Sequence, residues 1–365
     1  MFLFAPVIEP APRNEGLHFV NGMRSTGEST APEGFKPGGR RPVKASPLEL
    51  CKFETMNESP LVSIIGFGNI GATLSWMFLH DTATDWNINI MEPSKKRRGR
   101  VLDMMHASSL FPFRSITVNN KRRLEDSDFV VYCASGSVTI SKDRNEVLGE
   151  NVKIVKSVFS KIHFKNPDVR IIVISNPVDI IAFYISKFSN VDPYNIIGTG
   201  TYLDSIRLAY YTSLALKVQP SFVTAMVLGE HGNSMVPIYS RLQKNGRKIS
   251  SNLLNYKLLT SKTKKAAFEI KKTENATIYG VSTCAYRIIQ LLWHQPGPVL
   301  LPVSIKIDSF YKSKLGISTD LFLGLPVTFS DIGSPYEVTK VKLVNSEWEA
   351  LRRSAKKIEK LILNK

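Results

Sequence analysis

The sequence predicts an α/β protein built on a doubly wound parallel sheet, and three observations lead there. From residue 61 onward, short β-branched runs alternate with helical patterns, the arrangement of parallel strands joined by crossover helices. The first of these runs ends directly in a glycine-rich turn that opens a helix. Residues 1–55, by contrast, carry seven prolines and six glycines and keep no apolar period. They are expected to form a disordered N-terminal extension, since such a composition buries too little surface to offset ordering entropy.

The elements follow in order. Leu61–Ile65 is a short, largely apolar, β-branched run, as expected of a buried strand. Residues 70–79 carry a helical pattern, and Asn87–Met91 reads as the second strand. A weaker strand is expected at 115–118, a clear one at 129–133 and another at 169–174, with a helix over 146–162. Beyond about residue 200 the pattern is mixed. It closes on a helix over 346–364 with apolar residues at Trp348, Leu351, Ile358 and either Leu361 or Ile362.

A chain of 365 residues, 43 % hydrophobic, is long enough for two domains with a sizeable core. No run of 18 apolar residues exists, so no membrane span is expected. Cys51, Cys133 and Cys284 have neither disulfide-framework nor metal-ligand spacing, so no metal site is expected, and this usage fits a reducing cytoplasm. The start reaches Pro6 without a basic region, and six glutamates lie within the first 55 residues, so neither a secretory nor a mitochondrial leader is expected. The net charge of +17 is spread along the chain; Lys95, Lys96, Arg97, Arg98 and Arg100 form the only dense cluster. Zinc-finger, RNA-binding and basic-zipper signatures are missing. The basic surface is therefore read as solvated and attractive to anionic metabolites rather than as a nucleic-acid interface.

Gly66-Phe67-Gly68-Asn69-Ile70-Gly71 joins the first strand to the first helix. Gly66 permits the tight turn, Gly68 lets backbone approach a pyrophosphate, and Gly71 lets helix and strand pack closely. The helix N-terminus then offers free N–H groups to phosphate. Glu92, 21 positions past Gly71 at the end of the second strand, can accept hydrogen bonds from ribose hydroxyls and would repel a 2′-phosphate. The pattern predicts a Rossmann-type domain that binds NAD in preference to NADP, although the cluster at 95–98 could accommodate the extra phosphate.

Four further segments carry polar groups suited to chemistry. SNPVD (175–179) follows a strand, so Ser175 and Asn176 fall at the carboxyl edge that lines the ligand crevice. Within GTGTYLDSIR (198–207), Asp204 and Arg207 share one helix face. GEHGNSMVP (229–237) sets His231 between glycines, and Arg144 follows a polar stretch.

In family order and at family-like distances, GFGNIG, SNPVD, LDSIR and GEHGNS resemble the L-lactate and malate dehydrogenases. The resemblance runs from about residue 61 to 362 and includes LPVSIKID (301–308). It implies a dinucleotide-binding domain over 56–198 followed by a mixed α/β catalytic domain over 199–365. It implies His231 as general acid for ketone reduction and general base for alcohol oxidation, suited by a pKa near working pH. Asp204 would fix its tautomer, Arg207 would clamp the substrate carboxylate, and Arg144 would polarise the reacting carbonyl from a closing loop. Thr277 matches a substrate-pocket position. Ile70, Arg97, Ser135, Gly136, Ser157, Ser175, Asn176 and Thr199 match positions lining the cofactor, and Asn176 also faces the substrate. His106 reads as structural. Members of the family are usually dimers or tetramers, so a homo-oligomer is expected.

The sequence departs from the family in the loop before Arg144, where the substrate-discriminating position falls on Val138. Valine cannot neutralise the second carboxylate of oxaloacetate, and an unpaired buried carboxylate is costly. The expected substrate is therefore pyruvate or lactate. Alternatives are a branched 2-hydroxyisocaproate-type acid, malate, and a non-catalytic member acting as a binding subunit. In an NADH-oxidation assay, pyruvate is expected to exceed oxaloacetate in kcat/KM; a clear preference for oxaloacetate defeats the Val138 argument.

Overall fold

Val62, Ile64 and Ile65 make the strand β1 (Leu61–Ile65) apolar enough to lie at the buried centre of a sheet. Its one polar side chain, Ser63, is satisfied there by Ser127 Oγ at 2.7 Å and Asn89 Nδ2 at 3.0 Å. The structure is a computed structural model that describes residues 59–112, 114–136, 144–274, 276–294, 297–329 and 336–364, without the side chains of 144–147. The expected N-terminal extension (1–55) and residues 137–143, with Val138, lie outside the described residues.

After β1 come α1 (Asn69–Leu79), β2 (Asn87–Met91), α2 (Arg98–Ser108), β3 (Ile116–Val118), α3 (Lys121–Glu125), β4 (Phe129–Tyr132), α4 (Arg144–Phe159), β5 (Arg170–Val173), α5 (Val178–Phe188) and β6 (Ile196–Gly198). These six strands pair in parallel in the order β3-β2-β1-β4-β5-β6. The chain leaves β1 toward β2 on one side and reaches β4 on the other. That reversal opens a crevice at the carboxyl ends of β1 and β4, where such sheets bind ligands.

The second half contains α6 (Gly200–Leu216), five two-residue strands β7 (Val223–Thr224), β8 (Val227–Leu228), β9 (Val236–Pro237), β10 (Gln243–Lys244) and β11 (Arg247–Lys248), then α7 (Tyr256–Lys271), α8 (Tyr279–His294), β12 (Val299–Lys306), α9 (Ser309–Leu315), β13 (Phe322–Phe329), β14 (Glu337–Val338) and α10 (Asn345–Leu363). β12, β13 and β14 pair antiparallel and continue the same sheet beyond β6, joined by the register pair Ser304–Gly198. The sheet therefore runs across residue 198 instead of ending there.

The predicted elements are present with small shifts. The helix expected over 146–162 starts two residues earlier and ends at Phe159. The weak strand at 115–118 shortens to three half-buried residues at the sheet edge. On α10 the buried face is Leu351, Ala355, Ile358 and Ile362, so Ile362 rather than Leu361 completes the stripe. An aromatic cluster joins the two halves of the chain: Phe78 and Trp86 lie 4.9 Å apart by ring centroids, and Trp293 on α8 is 6.1 Å from Trp86 and 6.3 Å from Phe129. The buried Trp86 indole donates to Asp81 Oδ2 at 2.7 Å. Among the described residues no helix is long and apolar enough to cross a membrane.

Candidate active site

The glycine turn forms one end of the crevice. Gly66 has φ +98°, and a Cβ there would lie 2.8 Å from the Ala134 backbone. At Gly71 a Cβ would fall 2.2 Å from Gly66 O, so only glycine lets α1 close onto the turn. Gly68 differs: its nearest neighbour would be Arg97 Nη2 at 3.9 Å, which leaves room for a ligand to approach the backbone. No side chain caps α1 at Gly68, so its first-turn N–H groups face outward as an anion cradle. Ile70 is half-buried and packs on the core below. This arrangement fits the pyrophosphate of a dinucleotide.

Glu92 has a second task that the motif did not announce. Its Oε2 accepts from Phe67 N at 2.8 Å and from Arg97 Nη1 at 2.7 Å, and Oε1 accepts from Ser94 N at 2.9 Å. It thus braces the turn while remaining able to accept one more bond, as a ribose hydroxyl requires. Burial raises its pKa, but Arg97 and the two backbone N–H groups outweigh this and hold the carboxyl below its ordinary range.

The crevice floor comes from the ends of β4, β5 and β6. Ser175 Oγ donates to Ala134 O at 2.6 Å, and the buried Thr199 donates its N–H to Val173 O at 3.0 Å. Asn176 is exposed and precedes a cis proline. A residue missed in the sequence, Asn151 of α4, ties this floor together. Its Oδ1 accepts from Gly136 N at 2.9 Å, and its Nδ2 donates to Asn176 O at 2.8 Å. Ser135 beside it is exposed. Ser157, expected at the cofactor, is exposed on α4, and its hydroxyl donates to Ile154 O of its own helix at 2.8 Å. No hydrogen bond among the described residues ties it to the crevice. Arg144 opens α4, with its side chain outside the described residues. Thr277 is half-buried two residues before α8.

The structure brings His231, Asp204 and Arg207 together. Asp204, on α6, is 0 % exposed. Its Oδ2 lies 2.7 Å from His231 Nδ1, and its Oδ1 accepts from Arg207 Nη1 at 3.2 Å. With Nδ1–H given to Asp204, Nε2 is left for a substrate; the side chain is 19 % exposed. The loop carrying His231 is held on three sides. Gly229 pairs with Gly324 of β13 through bonds of 2.8 and 3.0 Å. Glu230 N donates to Ser354 Oγ at 2.8 Å, and the Glu230 carboxylate pairs with Lys357 at 2.8 Å, both on α10. His231 N donates to Asp179 Oδ2 at 3.0 Å. Burial alone would lower the imidazole pKa, but Asp204, and then Asp179, outweigh burial and Arg207 and raise it.

Residues 61–198 match the model for the lactate/malate dehydrogenase NAD-binding domain, and residues 201–364 match that for the family's α/β C-terminal domain. The chain belongs to the lactate/malate dehydrogenase family, and with it to the NAD-dependent 2-hydroxy-acid dehydrogenases. Among its relatives in the family, the L-lactate dehydrogenase of Fervidobacterium nodosum is 32 % identical over 262 residues, covering 68 % of this chain and 84 % of that protein. L-lactate dehydrogenase 1 of Staphylococcus aureus is 28 % identical over 312 residues, covering 82 % and 95 %. Among solved structures, Cryptosporidium parvum malate dehydrogenase superposes with a TM-score of 0.74 at 26 % identity, covering 84 % of this chain and 98 % of that one. MGS-M5, a lactate dehydrogenase from a Medee basin deep-sea metagenome library, gives 0.73 at 25 % identity, covering 83 % and 97 %. Both substrate names occur among these family members, so the fold alone does not choose between them.

The raised His231 pKa has a testable source. Asp204→Asn removes the nearest negative charge, so the imidazolium loses support and its titration midpoint falls. On the reading of His231 as the proton donor in 2-oxo-acid reduction, the pH at which that activity fails should fall with it. NMR titration of the His231 ring checks this; an unmoved or higher midpoint refutes the electrostatic account.

Proposed function

We propose that this chain is an NAD-dependent L-lactate dehydrogenase that interconverts pyruvate and lactate. The observation that carries the reading is the buried Asp204 carboxylate bridging His231 and Arg207, in a chain whose glycine turn presents a dinucleotide cradle. On this reading residues 56–198 hold the cofactor and residues 199–365 supply most of the substrate site. When bound, NADH supplies the hydride from its nicotinamide ring. His231 Nε2 gives its proton to the forming alkoxide, and Asp204 stabilises the charged ring before that transfer. Arg207, 12 % exposed, keeps guanidinium N–H groups beyond the Asp204 bond to grip the substrate carboxylate. Arg144 polarises the carbonyl from the start of α4, and Thr277 and Asn176 complete the pocket. Gly66, Gly68, Gly71, Glu92, Arg97, Ser135, Gly136, Ser175 and Thr199 line the cofactor side.

Val138 favours pyruvate over oxaloacetate, since an apolar side chain leaves a second carboxylate unpaired, and it supports a branched aliphatic 2-oxo acid as the second reading. The intact His231–Asp204–Arg207 set speaks against a non-catalytic subunit. We further place the enzyme in the cytoplasm, in keeping with the free thiols of Cys133 and Cys284. It is read as a homo-oligomer, because α2 leaves Leu102 and Met105, and α6 leaves Ile206, Tyr210 and Leu214, exposed.

His231→Ala should lower kcat for pyruvate reduction by about 10²-fold or more while NADH binding survives, and NADPH should serve poorly. Wild-type enzyme that turns over none of pyruvate, 2-oxoisocaproate and oxaloacetate ends the catalytic reading. Sedimentation should give a dimer or larger; a monomer at micromolar concentration ends the oligomer reading.

A further inference from the structure

Beneath the His231 loop lies a buried carboxylate with no cation of its own. Asp179, in the first turn of α5, is 2 % exposed. Its Oδ2 accepts the His231 main-chain N–H at 3.0 Å, and its Oδ1 accepts the Ser304 hydroxyl from β12. Among the described residues no lysine or arginine pairs with it. Packing leaves it little freedom. A Cβ on Gly198 would meet Val178 Cγ2 at 2.8 Å and Ser304 Cβ at 2.9 Å, and one on Gly200 would meet Ser304 N at 2.9 Å.

The charges facing the His231 ring can be counted. From α6 come Asp204 and Arg207 and from α5 Asp179; the neighbouring Glu230 bears on Asp179 instead and is paired with Lys357 of α10. With both aspartates ionised, Asp179, Asp204 and Arg207 leave a net charge of one negative, which a proton on His231 neutralises. Two hydrogen-bond donors alone would not require a carboxylate. A neutral amide could accept from the His231 N–H at far smaller desolvation cost in the apolar run of α5.

We propose that Asp179 is a positioning residue for the proton-transfer site: it fixes the His231 loop through the main-chain N–H and serves, with Asp204, as the second carboxylate that keeps the proton on the imidazole. This rests on the reading of His231 as general acid. Burial pushes Asp179 up to about 6, so it is mostly ionised at neutral pH and supplies its charge there.

The test is NMR titration of the His231 ring in full-length wild-type protein and in Asp179→Asn, with the resonance assigned by its loss in His231→Gln. Asparagine keeps the shape and an acceptor for the His231 N–H but removes the charge. The midpoint should move down by about one pH unit or more, as for loss of an opposite charge a few ångströms away. The upper pH limit of 2-oxo-acid reduction should follow it, with KM for NADH unchanged. A lower kcat with an unmoved midpoint would mean that Asp179 is only structural, and the proposal fails. Should the protein reduce no 2-oxo acid, the ring titration still reads the coupling, so the two failures are separable. If Asp179→Asn does not fold, the 13C shift of the wild-type Asp179 carboxyl must change across the His231 midpoint; a flat response there also overturns the proposal.

Discussion

The site depends on one buried carboxylate. Asp204 is fully removed from solvent and accepts from both His231 and Arg207. A buried charge left without partners is strongly destabilising, so the loop that brings His231 to it must be held against its own entropy. The structure meets that need with contacts from distant parts of the chain. Gly324 of β13 pairs with Gly229, Ser354 and Lys357 of α10 hold Glu230, and Asp179 of α5 takes the His231 N–H. The C-terminal helix is therefore part of what keeps the imidazole in place, although it contributes no group to the ring itself.

The same constraint explains the sheet. A parallel six-stranded sheet puts its ligand crevice at the carboxyl ends of β1 and β4, but the histidine arrives on a loop beyond β8. Continuing the sheet through β12 and β13 brings that loop to the crevice, because Gly324 and Ser304 then sit beside β6 and α6. The approach is close enough that a Cβ on Gly324 would lie 2.5 Å from Thr201 Oγ1 and 2.6 Å from Gly229 O. Absent side chains at 198, 200 and 324 are what let α6, β12 and the histidine loop share one small volume.

What could be read from the sequence divides along the same line. Short β-branched, largely apolar runs marked β1 and β4, the Asn–Ile alternation marked β2, and the turn after β1 was legible because its glycines, strand and helix are adjacent in sequence. His231, Asp204 and Arg207 were legible as residue types through resemblance. Partners remote in the chain were not. Asn151 looks like any polar residue on an amphipathic helix, yet it joins Gly136 to Asn176. Asp179 carried a local signal, an acid within the apolar run VDIIAFYI, but nothing near it indicated that it would meet residue 231, 52 positions on. Ser157, matched by resemblance, lies exposed on α4 with its hydroxyl donating to Ile154 O of its own helix. Periodicity reports which face of an element is buried and is silent about what that face meets.

Cofactor choice follows from a competition already visible at the turn. Glu92 holds Phe67 N, Ser94 N and Arg97 at once. A ribose with a free 2′-hydroxyl adds a donor to this carboxylate and disturbs none of those bonds. A 2′-phosphate brings negative charge against Glu92, and an Arg97 guanidinium drawn toward that phosphate is drawn away from the acid. Arg97 is 45 % exposed and able to move, but its departure removes the charge that holds Glu92 ionised despite burial, and Glu92 in turn braces the backbone at Phe67. The phosphate would therefore gain an arginine at the expense of the turn that forms the anion cradle. The basic cluster at 95–98 does not reverse the preference for NAD, because Arg97 already shares its guanidinium with the acid.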